Sequence, residues 1–206
     1  MVAGNGRIPR RVLLPDEQTR LLLDAYGAQS ITVARARGGG PQDNPYILVR
    51  SPNTLTYCFD AEAVTAHTYA WLLAHAHAPA LRLPGEAAAP TAADSVRLIA
   101  SHTVHGTPPV TVHPVPALRS PTGRAHLAVR IGHVTVRCHD RTGLQSHIEA
   151  WLDAYAAAEL TFPTGPQRSI GELHRHAVRD ARSPYACLRN LDRIRDLGEP
   201  TRAAAR

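Results

Sequence analysis

The chain has 206 residues, 44% of them hydrophobic but only 5% aromatic, and a formal net charge of +6 in which all 23 basic residues are arginine. That length suits one domain, or two small ones that share a core, and no run approaches the roughly 20 apolar residues of a membrane span. Without lysine there is no phosphate-loop lysine, no Schiff-base lysine and no kinase-type ATP lysine, so those chemistries are excluded.

Residues 1–14 contain Arg7, Arg10 and Arg11 and no acid, and are expected to form a flexible basic arm. Pro15 with Asp16 and Glu17 then fits the first turn of a helix, with Leu21, Leu22, Leu23 and Tyr26 as its apolar side and Gly27 as its stop. Ile31 to Arg35 alternates like a strand. The loop Gly38-Gly39-Gly40-Pro41 precedes another strand rather than a helix, so it is a connection and no phosphate cradle. Tyr46 to Arg50 and Thr54 to Phe59 read as two further strands joined at Ser51-Pro52-Asn53. Asp60 is a good N-cap for a helix running to about Ala78.

A linker rich in Pro and Ala is expected over residues 80–90. Thr91 and Asp94 have capping-box spacing, and Val96, Ile99, Ala100 and Val104 give a helical stripe ended by Gly106. Strands follow at Val110 to Val115, Ala125 to Arg130 and Val134 to His139, and then a helix from about Thr142 to Leu160. Ser169 and Glu172 form a capping box for a further helix. Ser183 with Pro184 starts a last one, lined by Cys187, Leu188, Leu191 and Ile194. Residues 201–206 are expected to fray.

One stretch occurs twice. Cys58 to Ala76, CFDAEAVTAHTYAWLLAHA, aligns without a gap on Cys138 to Ala156, CHDRTGLQSHIEAWLDAYA, 80 positions later. Cys58 falls on Cys138, Asp60 on Asp140, His67 on His147 and Trp71 on Trp151. Cys, His and Trp are rare enough in this chain for these matches to indicate a duplicated unit. The expected fold is therefore α+β: two tandem α-β-β-β-α units, residues 15–79 and 91–161, related by a pseudo-twofold, plus a C-terminal helical pair over residues 162–200. Each hairpin sheet is expected to be covered by its own Trp-bearing helix.

The repeated Cys58, His67, Cys138 and His147 are a candidate metal-ligand set, since thiolate and imidazole bind zinc. Each unit offers only two such ligands, however, without paired short spacings. Fold roles explain the same residues: Cys as a small buried hydrophobe, Asp as a helix cap, and His one turn before Trp on a partly buried face. Cys138-His139-Asp140 resembles a nucleophile, base and orienter in a row, but adjacent strand residues point to opposite faces. His75 and His77 lie on different helix faces, and His102, His105 and His113 follow no metal spacing. No catalytic residue and no cofactor is assigned.

Charge is unevenly spread: +3 over residues 1–14, −1 over residues 15–164 and +4 over residues 165–206. A polyanion would meet the ends. Arg7, Arg10, Arg11, Arg189, Arg193 and Arg195 are the candidate nucleic-acid contacts, the last three on a helical pair of helix-turn-helix length. The expectation is a non-enzymatic binding or regulatory protein whose partner is nucleic acid or an acidic protein, with no membrane association. The alternative is a small enzyme or metal-binding protein using His and Cys between the two units. Three Cys, an odd count, and no apolar leader at the N-terminus fit a cytoplasmic, reduced protein.

Overall fold

The computed structural model describes residues 20–37, 44–81, 83–85, 87, 99–121, 123–163 and 168–182. They form a mixed α+β fold with eight strands in two sheets and three α-helices. β1 (Leu21–Ala25), β2 (Thr32–Arg37), β3 (Pro45–Arg50) and β4 (Thr54–Cys58) lead into α1 (Ala61–Leu81). β5 (Ala100–Val104), β6 (Val110–Val115), β7 (His126–Ile131) and β8 (Val134–Cys138) lead into α2 (Arg141–Thr161), and α3 (Ile170–Ala181) follows. None of these helices is long and apolar enough to cross a membrane.

The six expected strands form where the period-2 pattern places them. Ile47 and Val49 of β3 and Thr54, Thr56 and Cys58 of β4 are buried, while Tyr46, Leu48, Leu55 and Tyr57 between them are half-buried on the other face.

Two expected helices are strands instead. Leu21–Ala25 is β1, parallel to β8 with Leu21 opposite Val134 and Ala25 opposite Cys138. Ala100–Val104 is β5, parallel to β4 with Thr54 opposite Ala100 and Cys58 opposite Val104. A short apolar run such as Leu21–Leu23 fits either period, and tertiary pairing decides. Leu21, Leu23 and Ala25 turn inward while Leu22 is left 54% exposed, the alternation of a strand. Each stretch leading to a helix is thus β-β-β-β-α, not α-β-β-β-α.

The two sheets have orders β1-β8-β7-β6 and β2-β3-β4-β5. The first strand of the chain therefore completes the sheet of the later hairpin strands, and β5 completes the sheet of the earlier ones. The helices cross over in the same sense: α1 packs over β6 and β7, and α2 over β2 and β3. The expectation that each helix covers its own hairpin is corrected by this exchange.

From Ala66 to Ala74 every residue of α1 is buried, between α2, α3 and the sheet. Ala63, Val64, Ala66, Tyr69, Ala70, Trp71, Leu72, Leu73 and Ala74 all lie in the core, and the many alanines let neighbouring backbones approach closely. Thr68 Oγ1 lies 2.9 Å from Val64 O and 3.0 Å from Trp151 O and shares its one proton between them, tying α1 to α2. Tyr69 Oη donates to Asp180 Oδ2 at 2.6 Å, tying α1 to α3. Leu173 and Ala177, one turn apart on α3, face the same core. The expected capping box at its start is formed, with both the Ser169 and Glu172 side chains engaged.

Part of the expected linker is anchored. α1 runs through Pro79 to Leu81, and Leu83 is 2% exposed. Pro84 O and Gly85 O accept the N–H groups of Arg141 and Thr142 at 2.9 and 3.1 Å, satisfying free donors at the start of α2. The basic arm at 1–14, the Thr91–Asp94 capping box, the last helix begun at Ser183 and the tail at 201–206 lie outside the described residues.

Candidate functional site

His67 and Trp71 sit one turn apart on α1, as His147 and Trp151 do on α2, so each pair shares a helix face. Where the helices meet, the pairs interlock. The His67 ring stacks on Trp151 with centroids 4.3 Å apart and planes at 19°, and Trp71 stacks on His147 at 4.2 Å and 5°. His67 Nδ1 lies 2.8 Å from the Ala63 carbonyl, which can only accept, so Nδ1 carries the proton and Nε2 keeps its lone pair. Burial drives His67 down to about 3, against the pull of its bond to Ala63 and with His102 adding to the fall. Burial likewise lowers His147 to about 4. Both rings are neutral at neutral pH.

These rings border a cavity of about 40 Å³ between the two sheets, lined also by Thr54, Thr56 and His102. The His102 ring is 6.1 Å from that of His67 and meets His133 edge-on at 5.2 Å. Burial, and then the neighbouring His133, lowers His102 to about 4. Trp71 Nε1 and His102 Nδ1 find no hydrogen-bond partner among the described residues. The space suits one or a few waters bridging such groups. It is far below the roughly 300–1,000 Å³ of a pocket for a drug-sized ligand.

The other repeated residues join strands to helices. Asp60 Oδ1 accepts from Ala63 N at 2.7 Å, capping α1, and Oδ2 accepts from Gly106 N at 2.7 Å, just past β5. Asp140 Oδ1 accepts from Gly143 N at 2.7 Å, and Oδ2 takes Gly27 N at 2.7 Å and Ala87 N at 2.9 Å. Each aspartate thus pins the end of an exchanged strand to the start of a helix. Gly27 and Gly106 have φ of 60° and 62°, a turn that favours glycine. A Cβ at Gly143 would stand 3.2 Å from Gly27 O, so glycine there admits the turn after β1.

Cys58 and Cys138 end β4 and β8 with no exposure. Burial, reinforced by Asp60 and Asp140 respectively, pushes both thiols well up, away from the thiolate a metal requires. Of the candidate ligand set, the two cysteines lie in the core and the two histidines border the cavity. Among the described residues, no group of three or more His, Cys, Asp or Glu stands where it could hold a metal ion.

His139 takes a partner that its neighbours in sequence do not supply. Asp140 spends its oxygens on backbone N–H groups, while His139 Nε2 donates to Asp24 Oδ1 at 2.7 Å and Arg137 Nη2 to Asp24 Oδ2 at 2.5 Å. Burial alone would raise the Asp24 carboxyl, but hydrogen bonds from Arg137 and His139, and then their charges, hold it below the usual carboxylate range. Tyr26 stacks on His139 at 4.3 Å with planes 3° apart, and the His126 ring is 5.2 Å away. The His139 side chain has no exposure, so this base is sealed from any substrate. The link spans 115 positions, and Asp24 fell within an expected helix, so no local signal announced it.

Arg7, Arg10, Arg11, Arg189, Arg193 and Arg195 lie outside the described residues. Within them, α3 adds exposed Arg175 and Arg179, with Arg182 just beyond its end. No family model matches this chain, and neither a curated protein nor a solved structure does.

Proposed function

We propose that this chain is a non-enzymatic binding or regulatory protein of the cytoplasm that contacts nucleic acid through its arginine-rich ends. The observation that carries this reading is how the repeated polar residues are used. His67, His147, Asp60 and Asp140 are all engaged in holding helices and strands together. Positive charge meanwhile gathers toward the two ends of the sequence, and a polyanion is drawn to clustered arginine. An acidic protein surface is the other partner compatible with that charge.

The same proposal takes the body to be a duplicated β-β-β-β-α unit, related to its copy by a pseudo-twofold and exchanging its first strand. The gap-free repeat at 80 positions, two helices of 21 residues, and Cys58 opposite Val104 as Cys138 is opposite Ala25 all support this.

Arg7, Arg10 and Arg11 replaced by Gln, together with Arg189, Arg193 and Arg195 replaced by Gln, remove six positive charges without shortening the chain. The expected result is loss of retention on a DNA column at low salt with an unchanged melting curve. Retention equal to the unaltered chain would refute the role of the ends. A second reading, a small enzyme or metal-binding protein, has against it that no group of three or more His, Cys, Asp or Glu among the described residues could hold a metal ion. Stoichiometric zinc in the purified protein would support it.

A further inference from the structure

The outer faces of the two sheets carry different chemistry. On the β2-β3-β4-β5 sheet, the side turned away from α2 presents Tyr46 of β3, Tyr57 of β4 and Phe59 just beyond it. Tyr46 lies 5.6 Å from Tyr57 and 5.5 Å from Phe59, with ring planes tilted by 52° and 40°. All three rings are half-buried, His105 stacks on Phe59 with centroids 5.0 Å apart and planes at 18°, and Leu48 and Leu55 share the face, opposite Tyr57 and Arg50. Arg50 is exposed in the same row, whereas Arg35 and Arg37 of the edge strand β2, opposite Ile47 and Pro45, lie on the α2 side of the sheet. Strands β2 to β5 contain no acidic residue.

Eighty positions later, on the other sheet, the three ring positions hold His126, Arg137 and His139. There Asp24 joins the cluster and accepts from Arg137 and His139. That face satisfies its own charges. The first face offers aromatic surface and Arg50, and the carboxylate at its rim, Asp60, is spent on the N–H groups of Ala63 and Gly106.

We infer that the outer face of the β2-β3-β4-β5 sheet is a stacking platform for unpaired nucleobases, so that the nucleic acid this protein binds is single-stranded. The inference rests on the nucleic-acid reading above and adds a site to it. Aromatic side chains on an open sheet stack bases of any sequence, because every base has a π-face, and arginines beside them take the phosphates. A duplex keeps its bases stacked inside and cannot use such rings. Tyr46 and Tyr57 are spread over neighbouring strands, so successive bases can each meet a ring, while Arg50 in the same row stands beside the path of the backbone.

The test is fluorescence-anisotropy titration of the full chain with a labelled 12-nucleotide oligo-dT and with a 12-base-pair duplex, at low salt. The expected result is tighter binding of the single strand, weakened roughly fivefold or more by Tyr46→Leu and by Tyr57→Leu. Each leucine keeps apolar bulk but removes the ring. Arg50→Gln, at an exposed position, should also weaken the single strand and make the salt slope about 0.7 shallower; it keeps the test valid if a tyrosine variant is destabilised. Single-strand binding unchanged in all three variants would overturn the platform and leave the ends as the binding element. Preference for the duplex would overturn it as well. No binding of either probe would overturn both the platform and the nucleic-acid reading.

Discussion

Trp71 lies flat on His147, ring centroids 4.2 Å apart, while His67 lies on Trp151 in the reverse sense. Each helix thus lends its indole to the imidazole of the other, at the centre of a chain with only two tryptophans. Trp71 is 2% and Trp151 4% exposed. Trp71→Ala and Trp151→Ala are each expected to cost about 3–5 kcal/mol, as for other large buried aromatics. Denaturant melts measure this, and a loss below about 1 kcal/mol for both would contradict the packing described.

The same pairs make stability depend on pH. His67 and His147 are lowered from an ordinary 6.5 to about 3 and about 4, so the unfolded chain binds more protons than the folded one across the interval. Their contribution is fully present above about pH 6.5, is lost as pH falls toward 4, and levels off below the folded values. The slope is at most ~1.4 kcal/mol per pH unit for each ring. A protonated imidazole on an indole face gains a cation–π contact that offsets part of this. Denaturant midpoints at pH 7.5, 6 and 5 should fall steadily, and His67→Phe with His147→Phe should flatten the fall. A midpoint constant from pH 7.5 to 5 would contradict the neutral buried state.

Asp140 holds three backbone N–H groups where Asp60 holds two. Asp140 is fully buried. Removing its carboxylate orphans a helix cap, the turn after β1 and the stretch before α2 together. Asp140→Ala is therefore expected to cost roughly 2–4 kcal/mol, and Asp60→Ala about 1–2 kcal/mol. Equal losses in thermal melts would show that the extra contact at Ala87 contributes nothing.

Much of this was legible in the sequence because the signals are local. Asp60, Asp140 and Ser169 announce helix starts by residue type, and β3, β4, β7 and β8 alternate cleanly. β1 and β5 were illegible for a physical reason. Their partners in register lie 113 positions ahead for Leu21 and 46 behind for Ala100, and five residues of mixed polarity do not fix a period. The exchange of strands, the crossing of helices over the opposite sheets and the Asp24–His139 bond follow from that long-range pairing. The gap-free repeat pointed to the His–Trp pairs as important, but one helix alone could not show that each His would find the other helix's Trp.

Cys58 and Cys138, fully buried and with thiols pushed up by burial, should resist iodoacetamide in the native protein and react only on unfolding. Mass spectrometry of labelled peptides, with and without denaturant, reports this site by site. Rapid native labelling at either position would return a thiolate to the account and with it the metal-binding reading.

The most direct test of the central claim, that arginines at the chain ends bind nucleic acid, is the salt dependence of binding by the unaltered chain. Each phosphate neutralised contributes about −0.9 to the slope of log K against log salt on duplex and about −0.7 on single strand. If Arg7, Arg10, Arg11, Arg189, Arg193 and Arg195 all engage, the slope should reach about −4 to −5 and collapse toward zero when the six are replaced by Gln. No binding at low salt, or a slope unchanged by those replacements, would contradict the claim.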